Sequence, residues 1–387
     1  MKKKVLIIGP IGDFGGRELE AGFIANSLSE NYDVEICSIG NITKNSQVYE
    51  TFKNGEVYSL KQLIFKKNKL ISLVSKLSFI KNKKKEEPYY YVNNAVAKKI
   101  LKYDLKVEKI LRNLIRNFDL IFIIAQVSSN YLKLIIEESD RLNKKIVFRT
   151  TGTIQTIPRS TFFNKVDLFI HHSNLNAERL IGLCKHDYQV IDQCSFIEEE
   201  LLKLPISKGN SKFLALGMIS PVKGFKELID CFLKFSKKGD ELLIVGEGKH
   251  KKFLVNKYSG NSQVFFKGYI EQQKLSEIFK NNDCLIISSF EEAGPLVGIE
   301  AMAAGKLIIS TKVGAMQERL DETLCDFWYD INDESSFEKS YNEVKGLTEE
   351  TVSKISISLK QKYIKNYSFQ ELAEKYRKSI NKLLNVN

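Results

Sequence analysis

Short apolar runs alternate along the chain with longer stretches in which apolar residues recur at helical spacing. In the first half, five such runs predict buried β-strands, at residues 5–8, 34–39, 120–124, 146–149 and 168–172. Helical patterns lie between them, at residues 17–28, 95–118 and 131–142. Regular alternation of buried strands with helices predicts a parallel sheet covered on both faces. The expected fold class is therefore α/β.

The same alternation repeats in the second half. Strands are predicted at residues 213–216, 242–245, 264–266, 284–287 and 307–310. Helices are predicted to start near Gly224, Lys249, Glu271 and Leu296, with a last helix at 367–384. The stretch between Ser195 and Ser211 is polar and holds Pro205 and Gly209, and 387 residues exceed one ordinary core. We therefore expect domains at 1–200 and 201–365, followed by a C-terminal helix at 366–387.

The net charge favours anionic partners. The chain has 59 basic and 47 acidic residues, a net charge of +12, which suits phosphates, anionic lipid or nucleic acid. The basic residues lack an aromatic, arginine-rich platform, which argues against nucleic acid. Residues 1–13 are interpreted as a first strand rather than a signal peptide, and no run approaches the roughly 18 apolar residues of a membrane helix. We expect a cytoplasmic protein.

The cysteines and histidines show no metal-binding spacing. The cysteines are scattered without a C-x-x-C pair, at Cys37, Cys184, Cys194, Cys231, Cys284 and Cys325. This pattern predicts reduced, buried thiols rather than disulfides or a zinc site. The histidines are His171, His172, His186 and His250. The adjacent pair among them ends a predicted strand and is expected to be structural.

Residues 291–305, EEAGPLVGIEAMAAG, carry the most specific signal. They predict a loop containing glycine and proline after the strand at 284–287, and then a helix N-terminus. Glu292 lies in the loop and Glu300 in the helix. Backbone N–H groups at a helix N-terminus attract phosphates, and a carboxylate accepts hydrogen bonds from hydroxyls. Phosphates beside hydroxyls are typical of a nucleotide sugar.

Two glycine-rich loops could bring further N–H groups to a phosphate. Residues 9–18, GPIGDFGGRE, and residues 217–224, GMISPVKG, each follow a predicted strand and precede a predicted helix. Neither has the dinucleotide pattern G-x-G-x-x-G, and neither has a Walker lysine followed by serine or threonine. Each loop alone is therefore a weak signal.

Together these motifs resemble the family 4 glycosyltransferases, the retaining group 1 enzymes of GT-B fold. The resemblance covers about residues 213–384, and the family's glutamate pair falls on Glu292 and Glu300. Its Lys-Gly pair falls on Lys223 and Gly224, and its Gly-x-Gly turn on 246–248. The resemblance implies two Rossmann-like domains with parallel sheets facing an interdomain cleft. The C-terminal helix would cross back to the N-terminal, acceptor-side domain.

The resemblance also implies a role for each matched residue. Glu292 and Lys223 would be catalytic, the first contacting a donor-sugar hydroxyl and the second neutralising the leaving diphosphate. Glu300 would hold the ribose hydroxyls. The remaining donor-binding residues would surround the sugar, diphosphate and base: Gly15, Gly16, Gly246, Tyr269, Ile270, Gly294, Pro295, Leu296 and Val297. No metal or cofactor is implied, and the nucleoside-diphosphate sugar is itself a substrate.

Three departures from the family pattern bear on activity. The family's arginine, five residues before the lysine, is replaced by Met218, and Arg17 or Arg149 is a candidate substitute. The family's first-domain histidine has no counterpart. The usual Asn-Gly-Val-Asp is replaced by residues 192–195, Asp-Gln-Cys-Ser.

The lysine-rich segment 61–85 has two interpretations. It holds nine lysines and no acidic residue, interleaved with apolar residues. Such a stretch can bind an anionic membrane surface, or it can form a solvated helix with its apolar stripe in the core. The lack of any acid favours the membrane.

The function implied by the resemblance is retaining hexosyl transfer from a nucleoside-diphosphate sugar to a glycan acceptor. The acceptor is expected to be lipid-linked, in bacterial capsule or lipopolysaccharide assembly, so the enzyme would work in the cytoplasm or at the inner face of the plasma membrane. The alternative is a non-catalytic, glycosyltransferase-like binding subunit, which the loss of the arginine and the histidine favours.

Overall fold

The computed structural model describes residues 2–53, 55–154, 160–181 and 187–385, and the chain divides into two compact units. The first unit holds the chain up to His171, together with Ala177–Ile191 and Ala373–Asn387. The second unit holds His172–Asn176 and Asp192–Leu372. The C-terminal segment from Ala373 therefore belongs to the same unit as the N-terminus.

A seven-stranded parallel sheet forms the centre of the first unit. Its strands are β1 (Lys4–Gly9), β2 (Asp33–Ser38), β3 (Glu56–Ser59), β4 (Leu120–Ala125), β5 (Lys145–Thr150), β6 (Leu168–His171) and β7 (Tyr188–Val190). The spatial order is β3-β2-β1-β4-β5-β6-β7, so the winding direction reverses between β1 and β4. All six residues of β4 are buried, which explains its continuous apolar run.

Helices cover both faces of this sheet, as the sequence predicted. They are α1 (Gly16–Ser29), α2 (Val48–Thr51), α3 (Leu60–Lys67), α4 (Lys69–Lys81), α5 (Ala95–Lys99), α6 (Tyr103–Ile115), α7 (Leu132–Arg141) and α8 (Asn174–Ile181), with short 3-10 helices at Pro88–Tyr91 and Thr161–Lys165. The first three residues of α8 belong to the second unit. Ile121 and Ile123 of β4 join one apolar cluster with α6 and α7. On the other face, the ring of Phe122 meets that of Tyr376, and Tyr376 also meets Phe23 of α1.

A six-stranded parallel sheet forms the centre of the second unit. Its strands are β8 (Lys212–Leu216), β9 (Glu241–Val245), β10 (Val264–Lys267), β11 (Cys284–Ile287), β12 (Leu307–Thr311) and β13 (Phe327–Tyr329). The order is β10-β9-β8-β11-β12-β13, so the winding direction reverses between β8 and β11. In open α/β sheets, ligands bind at such a reversal, outside the carboxyl ends of the strands.

The second unit also carries most of the remaining helices. These are α9 (Glu198–Leu202), α10 (Phe225–Phe235), α11 (Lys251–Tyr258), α12 (Leu275–Lys280), α13 (Leu296–Ala304), α14 (Met316–Leu320), α15 (Glu334–Lys345), α16 (Glu349–Tyr367) and α17 (Phe369–Leu384), with 3-10 helices at Pro221–Lys223 and Gln272–Lys274. Only the first four residues of α17 belong to this unit.

Two helix predictions need correction. The single helix predicted at 95–118 is wrong, because α5 ends at Lys99 and Lys102 adopts a left-handed conformation (φ 51°) before α6 begins. Buried Ala97 and Val107 lie on either side of the break and share one core, so the apolar spacing did not reveal it. The helix predicted to start near Glu271 begins as a 3-10 helix, and α12 follows at Leu275.

The described cysteines are buried and are not in disulfides: Cys37, Cys194, Cys231, Cys284 and Cys325. Burial raises the pKa of the Cys231 thiol to about 11. His171 and His172 are also buried, at and just after the end of β6. Cys184 and His186 lie outside the described residues. Within the described ranges, no three His, Cys, Asp or Glu side chains are grouped to hold a metal ion.

Candidate functional site

The loops that follow β8 and β11 meet at the reversal point of the second sheet. The Phe290 N–H donates to the Val222 carbonyl at 2.9 Å. The Ser288 hydroxyl donates to the Lys223 carbonyl at 2.7 Å. These two bonds fix the positions of Lys223 and of the loop that carries Glu292. Hydrogen bonds therefore join the two loops on either side of the reversal.

Two glycines allow the loop after β8 to lie close to its neighbours, the loop after β11 and the loop after β9. Gly224 has a φ of 63°, and a Cβ there would lie 2.1 Å from the Ser288 carbonyl oxygen. Gly246 follows β9 with a φ of 143°, and its Cβ would lie 1.9 Å from the Gly217 carbonyl oxygen. Both positions need a backbone conformation and a closeness that only glycine provides.

Lys223 and Glu292 form an ion pair across the reversal. The Ser289 hydroxyl also donates to Glu292 Oε1, at 3.1 Å. The two charged side chains are 26% and 17% exposed, so a ligand can reach them while the surrounding protein limits their hydration. The resemblance assigned Lys223 to a diphosphate and Glu292 to a sugar hydroxyl, and the structure brings these two residues into direct contact.

Helix α13 points its N-terminus into the same loop. Its N-cap residue is Pro295, in an extended conformation, and no side chain caps this end. The first N–H groups of a helix have no partners within the helix, and together they favour an anion. Leu296 and Val297 are the first two helical residues, and both are partly exposed.

Glu300 lies in the second turn of α13 and is 3% exposed. Burial raises the pKa of its carboxyl group to about 7, because the charged form loses hydration. Among the described residues, no hydrogen-bond donor or cation contacts this carboxyl group. An unpartnered buried carboxylate can accept bonds from ligand hydroxyls, which would restore its charged form.

A buried arginine that the sequence analysis missed supports the loop before α13. Arg319 is fully buried, and its Nη1 donates to the Pro295 carbonyl at 2.5 Å. Its Nε and Nη2 bond the two carboxylate oxygens of Asp192, each at 2.7 Å. Asp192 had been noted only as a departure from the family pattern. The two residues are 127 positions apart, and nothing in either local sequence pattern predicts their pairing.

The turn expected near the nucleotide base lies beside Gly246. The Gly246 N–H donates to the Gly268 carbonyl at 3.1 Å, which joins the loop after β9 to the turn after β10. Tyr269 is 67% exposed, and Ile270 packs against the apolar core of the unit. Met218, in the position of the family's arginine, is 68% exposed. An exposed aromatic ring at this turn suits stacking on a base.

The glycine-rich loop of the first unit follows β1, at the reversal point of that sheet. The Gly15 N–H donates to Gln47 Oε1 at 2.8 Å, and the Gly12 N–H donates to buried Glu18 at 2.7 Å. Gly16 begins α1, and no side chain caps this helix. Side chains of the protein thus occupy two of the N–H groups in this loop.

The two arginines considered as substitutes for the missing cation have different environments in the structure. Arg149 is fully buried, and its guanidinium bonds Glu20 at 2.6 and 2.8 Å and the Ile191 carbonyl at 2.6 Å. Arg149 is 0% exposed and held by these partners, unlike the partly exposed Lys223, so the structure argues against its suggested role as a diphosphate cation. Arg17 is partly exposed, and its Nη1 donates to the Pro10 carbonyl at 2.9 Å.

Sequence comparison identifies a family over the second unit. Residues 196–356 match the family model described as "Glycosyl transferases group 1". Amylovoran biosynthesis glycosyltransferase AmsD of Erwinia amylovora is 25% identical, over 56% of this chain and 66% of the relative. The lipopolysaccharide 1,2-N-acetylglucosaminetransferase of Salmonella typhimurium is 24% identical, over 51% of this chain and 54% of the relative. The aligned parts therefore cover less than two thirds of either relative.

Structure comparison supports the fold over the whole chain. The crystal structure of Anabaena Alr3699/HepE in complex with UDP is similar, with a TM-score of 0.73 at 15% identity. The match covers 99% of this chain and 100% of that protein. Together with the two parallel sheets, this similarity confirms the predicted α/β fold class of GT-B type.

Proposed function

We propose, from the membership of residues 196–356 in the group 1 glycosyltransferases, that the chain transfers a sugar from a nucleoside-diphosphate sugar to a glycan. One observation carries the proposal: Lys223 and Glu292 are paired where the second sheet reverses its winding, beside the uncapped N-terminus of α13. Cation, carboxylate and helix N-terminus together offer binding groups for a phosphate and a hydroxyl.

In the proposed reaction, negative charge grows on the diphosphate as its bond to the sugar breaks. Lys223 exchanges its contact with Glu292 for one with the diphosphate, and the N–H groups of Leu296 and Val297 bind the same charge. Preorganised cations and dipoles stabilise such a charge better than water does. Glu292, released from the lysine, accepts a hydrogen bond from a donor-sugar hydroxyl. These groups provide the charge stabilisation without a metal ion.

We assign the ribose hydroxyls to Glu300. Its raised pKa leaves the carboxyl group partly protonated near neutral pH, and hydroxyl donors favour the charged form. The affinity for the donor should therefore increase as the pH rises towards 8. Replacing Glu300 with alanine should weaken donor binding by about 1.5–3 kcal/mol, the usual contribution of a hydrogen bond to a charged group.

The donor base and the acceptor are proposed from the relatives. A similar structure holds UDP, so a UDP-sugar is the first donor to test. Two relatives are named for amylovoran and lipopolysaccharide synthesis, so we propose a surface-polysaccharide acceptor carried on a lipid. The retaining outcome follows from the resemblance to family 4 and is checked by the anomeric configuration of the product in NMR. Gly15 and Gly16 remain predicted contacts of the diphosphate.

A non-catalytic binding subunit is the second candidate. Met218 replaces one family cation, and Arg149 is held by Glu20. A subunit of this kind would bind a nucleotide sugar without consuming it.

A thermal-shift screen of UDP-, GDP- and ADP-sugars, followed by a turnover assay on each hit, tests the proposal. We expect one nucleotide class to raise the melting temperature and its sugar to be released. Binding without release, in the presence of lipid-linked acceptors, would favour the subunit. No shift with any nucleotide sugar would refute both candidates.

A further inference from the structure

Helix α4 exposes a row of large apolar side chains. Leu70, Leu73, Leu77 and Ile80 are 56–60% exposed, on a helix of 13 residues. Their spacing of three, four and three residues places them on one side of the helix, within about 80° of arc at 3.6 residues per turn. A contiguous exposed apolar stripe of this kind marks a binding surface.

The opposite side of α4 is fixed to the first unit. Ile71 is buried in the apolar core, and the buried Ser75 hydroxyl donates to the Pro88 carbonyl. The ring of Phe79 lies 6.3 Å from that of Tyr91. The core therefore takes a different set of side chains from α4, and the stripe is left in solvent. The sequence left open whether the apolar stripe of segment 61–85 lies in the core or on the surface, and the structure favours the surface.

Lysines border the stripe on both sides. Lys69 and Lys76 lie along one edge and Lys81 along the other, and all three are exposed. Further lysines precede and follow the helix, at Lys66, Lys67, Lys83, Lys84 and Lys85. Within the described ranges, none of the lysines from 61 to 85 forms an ion pair, and the nearest acids, Glu86 and Glu87, follow the cluster. The surface is thus apolar in the middle and cationic at its edges.

We propose that α4 lies in the plane of an anionic bilayer. Its four apolar side chains would enter the boundary of the acyl chains, while the flanking lysines would meet lipid phosphates. With 13 residues, α4 is too short to span a bilayer, so attachment through it would be peripheral. None of the helices in the described part of the chain is both long and apolar enough to cross a membrane. This deepens the proposed function, because a lipid-linked acceptor is presented at such a surface.

The charge pattern favours a bilayer over a second copy of the chain. Two copies joined through the stripe would bring their flanking lysines together without any compensating acid, which is unfavourable. A free phosphate would satisfy the lysines but would leave the leucines in water. A bilayer with anionic headgroups satisfies both at once.

Co-sedimentation with vesicles tests the surface directly. The probes are vesicles of phosphatidylcholine alone and of phosphatidylcholine mixed with phosphatidylglycerol, each at low and high salt. The wild type should bind the mixed vesicles, and part of the binding should survive high salt because apolar contacts are not screened. Changing all four stripe residues to glutamine should weaken binding at least about tenfold and remove the part that resists salt.

Two further variants complete the test. The K69Q/K76Q/K81Q variant should show a weaker preference for anionic vesicles, because three of the lysines around α4 are removed. Leu324→Gln, which changes a leucine of the second unit that is 59% exposed, is the matched control and should bind as the wild type does. Calorimetry with the donor should give the same affinity for all these proteins, so a failure of membrane binding is distinguishable from a failure of the donor site.

Insertion itself is tested by Leu77→Trp. The natural chain has one tryptophan, Trp328, in the second unit, so the added ring reports on α4. Its emission should shift to the blue on mixed vesicles and be quenched by brominated lipid. The proposal is overturned if the stripe variant binds like the wild type, if the wild type binds neither vesicle, if Leu77→Trp emission does not shift, or if the stripe mediates self-association instead.

Discussion

The Lys223–Glu292 ion pair joins two residues that the proposed reaction uses in different ways. Before the donor binds, each charge satisfies the other, so neither is left unpaired in a partly buried site. The donor must therefore offer both a phosphate for the lysine and a hydroxyl for the carboxylate. An isolated phosphate or an isolated sugar would satisfy only half of this exchange.

Replacing Lys223 with alanine should reduce kcat more than it reduces donor affinity. In the proposed reaction, the lysine binds the diphosphate more strongly in the transition state than in the ground state, because negative charge grows on the leaving group as the bond breaks. We expect kcat to fall by roughly 100-fold, the usual cost of removing one charge-stabilising group, with a smaller rise in Kd. Turnover kinetics and calorimetry measure the two quantities.

The matched control is Lys226→Ala, which removes a nearby lysine that pairs with Asp230 at 3.0 Å on the surface of α10. Lys226→Ala should leave both kcat and donor affinity unchanged. Equal losses in kcat and in affinity for Lys223→Ala would mean that this lysine binds the ground state only.

Glu300 should make stability fall between acidic and neutral pH. Its pKa is about 7 in the folded protein and near the ordinary 4.5 when unfolded. Below pH 4.5 both states hold the proton. Between these values only the unfolded chain releases it, so stability falls by about 1.4 kcal/mol per pH unit and levels off above pH 7.

Urea unfolding of the wild type and Glu300→Gln, at several pH values, isolates this carboxyl group from the others. The stability of the variant relative to the wild type should increase by about 3 kcal/mol from pH 4.5 to pH 7. A difference that does not change with pH would show that Glu300 is hydrated in the folded protein.

Arg319 and Asp192 should behave as one unit. Arg319→Met leaves the buried Asp192 carboxylate without its guanidinium partner, with His172 Nδ1 3.9 Å away, and should cost about 3–5 kcal/mol of unfolding free energy. The double variant R319M/D192L removes both charges and should recover most of that loss. Donor affinity should stay reduced in the double variant, because the Pro295 carbonyl has still lost its hydrogen bond. Full recovery of both properties would mean that the pair serves stability alone.

At the scale of elements, the strands in the centre of each sheet were predictable, and so was the edge strand β10, whereas the edge strands β3, β7 and β13 were not. β4, β11 and β12 are buried along their whole length, so each gives a continuous apolar run. β3, β7 and β13 lie outside the centre, have only three or four residues and show no such run. The left-handed conformation of Lys102 could not be predicted from the sequence either, because no glycine lies at the break between α5 and α6.

The candidate site was predictable only where its residues are close together in the sequence. Glu292, Glu300 and the start of α13 share one fifteen-residue segment, so the motif placed them correctly on loop and helix. The contact of Lys223 with Glu292 spans 69 positions and depends on the sheet order. The Arg319–Asp192 pair depends on tertiary packing alone. The apolar spacing in α4 fitted both the core and a membrane until the structure showed which leucines are exposed.

The loops of the second unit should tolerate a methyl group at one glycine and not at another. Gly246→Ala places its Cβ against the Gly217 carbonyl oxygen, at a φ of 143°. Gly217→Ala has a similar φ of 150°, but nothing lies within 4 Å of its Cβ. Gly217→Ala should therefore cost about 1–3 kcal/mol, the backbone strain alone, and Gly246→Ala should cost clearly more. Denaturant unfolding measures the loss of unfolding free energy in each variant. Equal losses would mean that the loop after β9 can move to accommodate the methyl group at residue 246.

At the scale of the whole molecule, each unit carries a glycine-containing loop where its own sheet reverses. In the first unit the loop after β1 lies there, and in the second unit the loops after β8 and β11 do. Such reversals are the usual ligand sites of parallel α/β sheets. The net charge of +12 suits a protein whose proposed partners, a nucleotide sugar and an anionic bilayer, are both negatively charged.

The most direct test of the central claim follows nucleoside-diphosphate release from UDP-, GDP- and ADP-sugars by phosphorus NMR. It uses the wild type, Lys223→Ala and Lys226→Ala, with lipid-linked acceptors present. The account predicts that the wild type and Lys226→Ala consume one class of donor, while Lys223→Ala does so at least about tenfold more slowly. Folded wild-type protein that consumes none of these donors, or an unimpaired Lys223→Ala variant, would contradict it.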